Sequence, residues 1–219
     1  MNGSSISPGA AGPYSDTATN MVYNWLFCDD INLFKTTVSQ PERYPWNILF
    51  SPSPVNPGLQ TIIDDAAVET RAKMLAYNML RQNGYSSVKK ELLAVIVEVG
   101  LDDGLDVLAA FKDGTARYIN QSGKMIIWEA ASDEAGTLIK ELFASSIPVI
   151  QQIGPWNDAR RPHPETGMAR ISFLVSDGLY FGEAPMNALF DHPLAKPALL
   201  AATALMQFLT GKVLDKAAN

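Results

Sequence analysis

Glu91-Leu-Leu-Ala-Val-Ile-Val-Glu-Val-Gly100 is followed by Leu105-Asp-Val-Leu-Ala-Ala-Phe111, Thr115-Ala-Arg-Tyr-Ile119 and Lys124-Met-Ile-Ile-Trp-Glu129. Asp102-Asp103-Gly104, Lys112-Asp113-Gly114 and Gln121-Ser122-Gly123 separate these runs. Short runs rich in β-branched and aromatic residues, broken by Asp-Gly and Ser-Gly, are the pattern of consecutive hairpins. The stretch 91–129 therefore predicts a four-stranded antiparallel meander. Further on, Arg170-Ile-Ser-Phe-Leu-Val-Ser176 alternates, and Asp177-Gly178 turns it into Leu179-Tyr-Phe181. This second hairpin, 170–181, is expected to extend the same sheet.

Helical spacing frames the strands. Asp16 reads as an N-cap before Met21, Val22, Trp25 and Leu26, with a short helix after Asp29-Asp30. Five prolines between Ser39 and Pro57 forbid long regular structure, although Trp46, Ile48, Leu49 and Phe50 still need burial. Asn56-Pro57 opens a stripe (Leu59, Ile62, Ile63, Ala66, Thr70, Met74, Tyr77) that predicts one long helix ending at Asn83-Gly84. Ser132 and Asp133 offer a cap for a helix carrying Leu138, Ile139, Leu142 and Phe143, with an interruption expected at Pro148. Pro185–Phe190 and Pro197–Thr210 complete the set, Gly211 being the expected stop. Without a βαβ rhythm, the expectation is an α+β fold: a single antiparallel sheet of about six strands, with helices packed mainly on one face. Residues 1–15, made of small residues and proline, are expected to be a disordered arm, and 16–215 one α+β domain.

Composition excludes more than it identifies. With 219 residues, 47% of them hydrophobic, the chain can bury a full core. A net charge of −6 without a basic stripe argues against nucleic acid as a partner. No run approaches the ~18 apolar residues of a membrane span, and the opening lacks a signal peptide's basic and apolar regions. A soluble, cytoplasmic protein with no membrane partner is expected. Cys28, the single cysteine, permits neither an internal disulfide nor a cysteine-rich zinc site, and its apolar neighbours predict a buried thiol. His163 and His192 are the only histidines. A metal site would need Pro162-His163-Pro164 to meet Asp191-His192-Pro193, which spacing does not encourage, so no metal and no cofactor are expected. Asp102, Asp103 and Asp106 read as a solvated turn rather than a cation loop.

The candidate site is Gly154-Pro-Trp-Asn-Asp-Ala-Arg-Arg-Pro-His-Pro-Glu-Thr-Gly167. Trp156 can stack on a planar group, and Arg160 and Arg161 can grip carboxylate or phosphate. His163 beside Asp158 or Glu165 is the one arrangement resembling a general base, but no nucleophile accompanies it. Three readings follow, and the chain leans away from being an enzyme. The first is a module contacting another protein or a second copy of itself through a sheet face or the 154–167 loop, with Tyr118 and Trp128 as the aromatic face to watch. The alternative is a small-molecule-binding or sensor domain whose pocket lies near that loop. The third is an enzyme with His163 as base.

Overall fold

A computed structural model describes residues 12–85, 90–129 and 133–218. Its sheet has six strands: β1 (Leu92–Leu101), β2 (Gly104–Phe111), β3 (Ala116–Ile119), β4 (Met125–Trp128), β5 (Met168–Val175) and β6 (Gly178–Pro185). They lie in the order β4-β3-β2-β1-β5-β6, every neighbour antiparallel. The meander and the added hairpin are thus as the sequence predicts. Turn chemistry fixes their register: Gly114 (φ 87°) and Gly123 (φ 80°) occupy left-handed positions open to glycine. In the latter turn the Asn120 side chain also accepts from the Ser122 and Lys124 amides.

The helices do not gather on one face. Leu92 through Val97 are all buried. Ala94 and Ile96 enter one core, while Val95 and Val97 enter another across the sheet. A strand apolar on both sides needs cover on both sides. The first face receives α1 (Thr17–Trp25), α2 (Asn32–Lys35), α3 (Trp46–Leu49), α4 (Asn56–Asp64) and α5 (Thr70–Gln82). The second receives α6 (Asp133–Gln152), α7 (Met186–Asp191) and α8 (Lys196–Ala218). Tyr118 and Trp128 pack into this second core, with Trp128 edge-on to Phe208 at 5.4 Å, so they form no open aromatic face.

Several local expectations change. Asp16 does cap α1, accepting from the Thr19 amide at 2.7 Å. Within the span expected to be an arm, Tyr14 is buried and its hydroxyl donates to Leu105 O at 2.9 Å; residues 1–11 lie outside the described residues. The expected long helix from Asn56 is two helices. Asp65 turns extended and accepts from the Ala67 amide at 2.8 Å, a local bond that competes with the helix. Helix α5 then restarts under a cap from the β2–β3 turn: the Thr70 amide donates to Asp113 Oδ2 (2.8 Å), and the Asp113 amide donates to Thr70 Oγ1 (3.0 Å).

Conversely, α6 runs through Pro148 to Gln152. An interior proline costs about 3 kcal/mol, but ending the helix there would free Val149 and Ile150, both buried in the second core. Helix α8 likewise passes Gly211, beyond Leu205 and Leu209, which are fully buried. The expected cap at Ser132 lies outside the described residues. Among the described residues, no helix is long and apolar enough to cross a membrane.

Candidate functional site

Residues 154–167 link α6 to β5 and lie across the first face, over the part of β5 and β6 that the helices leave bare. Trp156 pins the start. Its amide donates to Leu179 O at 2.7 Å, an isolated bridge beside β6, and its indole donates to Ala159 O at 2.9 Å. Phe181 meets the ring edge-on at 5.2 Å, and Arg161 stacks over Trp156 at 4.9 Å, staying exposed.

Arg160 turns the opposite way. Its Nε donates to Asp29 Oδ2 (2.7 Å), its Nη2 to Asn24 Oδ1 (2.7 Å), and its guanidinium lies 4.0 Å above the Phe27 ring. Burial by itself would push this guanidinium's pKa down; the Asp29 carboxylate, Tyr23 and Glu98 together outweigh it, and the net direction is up. Asp29 is therefore one jaw of a clamp. Beyond Arg160 the chain passes over the sheet and closes on Gly100. The Gly167 amide donates to Gly100 O at 2.9 Å, and the Glu165 carbonyl approaches Gly100 so closely that a Cβ there would meet it at 2.1 Å.

Beneath the strap is a charged row no loop motif announces: Glu98 on β1, Arg170 on β5 and Glu183 on β6 are direct cross-strand partners. Glu98 is fully buried and Arg170 is 3% exposed. Arg170 Nε donates to Glu183 Oε2 (2.6 Å) and its Nη2 to Pro162 O (2.6 Å), tying the strap to the strand. Glu98 Oε1 accepts from the Tyr23 hydroxyl at 2.7 Å, while Oε2 finds no hydrogen-bond partner among the described residues. Burial pushes the Glu98 carboxyl above the usual range, against the pull of Arg170, the Tyr23 hydrogen bond, Arg160 and His163.

The remaining predicted residues do not converge. His163 is half-buried, with Nδ1 3.2 Å from Pro164 O. Asp158 and Glu165 are exposed, and among the described residues neither carboxylate bonds to it. The loop thus brings together Trp156 and Arg161, sends Arg160 to α1, and assembles no acid–base pair with His163. Among the described residues no group of three or more His, Cys, Asp or Glu is placed to hold a metal ion. Asp106, for its part, accepts from Tyr118 and from the Gln121 amide.

Next to Arg160 opens a cavity of about 310 Å³ between the end of α1, helix α5 and the β5–β6 turn. Phe27, Met74, Leu174 and Leu179 give it apolar walls; Arg81, Asn78, Gln82 and the Arg160–Asp29 pair give it polar ones. Arg81 donates to Asn78 Oδ1 and forms no ion pair among the described residues. Sequence reading missed Arg81, Asn78, Glu98 and Arg170. Periodicity places Arg81 on a helix end without showing what faces it. For Glu98 and Arg170 a signal did exist: each is a lone charge inside an apolar strand run. No protein-family model matches the chain, and no curated protein matches it.

Proposed function

We propose that this chain is a small-molecule-binding module that receives a small organic anion in the cavity beside Arg160. The observation that carries the reading is the pairing of apolar walls with Arg81, a guanidinium that makes no direct ion pair among the described residues, the Asp177 carboxylate acting on it only from a longer distance. Cavities of about 300–1,000 Å³ with few convergent polar groups suit small ligands, and about 310 Å³ admits a compact one. A carboxylate would meet Arg81 as a fork meets its partner, with the ligand's apolar body against Phe27 and Leu174. Arg160, held by Asp29, shapes the wall rather than supplying free charge.

The test is an NMR titration of the full chain with a series of short aliphatic monocarboxylates and their neutral amides. Saturable shifts at Leu174 and Leu179 with the acids, lost in Arg81→Gln, support the reading. Shifts equal for acids and amides, or none, overturn it.

A second reading keeps the interaction role. With both sheet faces covered, a partner is left the edges, and β4 is an edge strand on which Ile127 is 54% exposed. Self-association through β4 predicts a molar mass by light scattering that rises with concentration, and that Ile127→Lys holds at the monomer value.

A further inference from the structure

The proline-rich segment forms part of a second cavity, of about 600 Å³, lined by Trp25, Phe34, Trp46, Arg43, Arg71 and Glu69. We propose that it is a binding site for a planar aromatic carboxylate, independent of the cavity beside Arg160.

Three features define that ligand class. The walls are braced aromatic rings: Trp46 lies near-parallel to Phe34 (6.0 Å, 22°) and to Phe50 (5.4 Å, 27°), and Trp25 tilts against Phe34 at 6.4 Å. Rings that fix one another lose little freedom when a flat molecule joins them, so the site is shaped before binding. Trp25 Nε1 already donates to Leu33 O at 2.9 Å, so this residue offers ring surface rather than a polar handle. Charge completes the match. Two guanidiniums line the cavity against one carboxylate. Arg71 is paired with Glu69 at 2.9 Å, whereas Arg43 is exposed and makes no side-chain hydrogen bond or ion pair among the described residues. The surplus charge is positive and its donors are forked, the geometry a carboxylate takes. A flat ring among the aromatics with its carboxylate at Arg43 satisfies both halves of the site.

The experiment uses the full-length chain and three probes: 1-naphthoate, its neutral counterpart 1-naphthamide, and acetate. The indole Nε1 resonances of Trp25 and Trp46 report on this cavity, and that of Trp156 reports on the loop side. The expected result is saturable naphthoate shifts at Trp25 and Trp46 with Trp156 unmoved, binding by naphthamide about tenfold weaker, and no effect of acetate. Arg43→Gln should weaken naphthoate by about the same factor, the size of one charge-assisted contact, and leave naphthamide unchanged. Because Arg43 is exposed, that variant leaves the packing intact. Absence of saturation at Trp25 and Trp46, equal binding of acid and amide, or an unchanged naphthoate affinity in Arg43→Gln overturns the proposal. None of these outcomes bears on Arg81.

Discussion

Glu98 and Arg170 face each other across β1 and β5, yet their charged atoms stand 3.6 Å apart while Arg170 makes its closer contacts to Glu183 and Pro162. The buried acid is left partly uncompensated, and burial raises its pKa. A group whose folded pKa is raised holds its proton more tightly in the folded chain. Its contribution to stability is complete below the ordinary value of 4.5 and is lost as pH climbs through the raised one. Urea unfolding of the wild type and of Glu98→Gln across this range should therefore show the wild type losing ground to the variant as pH rises. A difference that stays constant with pH would contradict this.

Asp113 carries the opposite sign. Burial alone would push its carboxyl up, but hydrogen bonds from Thr70 and Thr115 outweigh it and the net direction is down. Its contribution is present above the ordinary value of 3.8 and disappears as pH falls through the depressed one. Asp113→Ala removes a helix cap delivered from a distant turn and should cost about 1 kcal/mol at neutral pH. The deficit, measured by thermal unfolding, should shrink in acid.

Neighbouring arginines in the strap should behave differently. Arg160 is 9% exposed at its side chain and is bonded to Asp29 and Asn24, so Arg160→Ala should cost about 2 kcal/mol and speed proteolytic cutting between 157 and 163. Arg161, exposed on Trp156, should cost less than about 1 kcal/mol when changed to alanine. Equal effects would mean that the strap is not clamped through Arg160.

Gly100 is required by the strap rather than by β1. Its Cβ position lies 2.1 Å from the Glu165 carbonyl oxygen, a backbone atom that cannot swing aside. Gly100→Ala should destabilise by about 3 kcal/mol, in the range of overpacked cores, and should loosen 164–167 in hydrogen exchange. Gly182 on β6 meets nothing within 4 Å, and Gly182→Ala should shift the unfolding midpoint little.

These cases also show what the sequence makes legible. Strand order and turns could be read because alternation, Asp-Gly dipeptides and Ser176–Gly178 are local signals. The two-sided burial of β1 was visible in Leu92–Val97, whose apolar run has no polar alternation, but helical stripes draw the eye to one face. The restart of the helix at Thr70 and the continuation through Pro148 were hidden, since one depends on Asp113, far along the chain, and the other on burial of Val149 and Ile150. Trp156, Arg160 and Arg161 were found because loops display them. Glu98 and Arg170 were not, because only the pairing of β1 with β5 makes two solitary charges into one site.

The bridge between Trp156 and Leu179 has a last consequence. It occupies the outer side of β6 at Leu179, while β4, at the other end of the sheet, pairs with no further strand among the described residues. Growth into a fibre needs a free strand at both ends of every subunit, whereas a single free strand allows only closure between two copies. The tryptophan that begins the strap thus takes up one of the edge positions on β6 that an added strand would need.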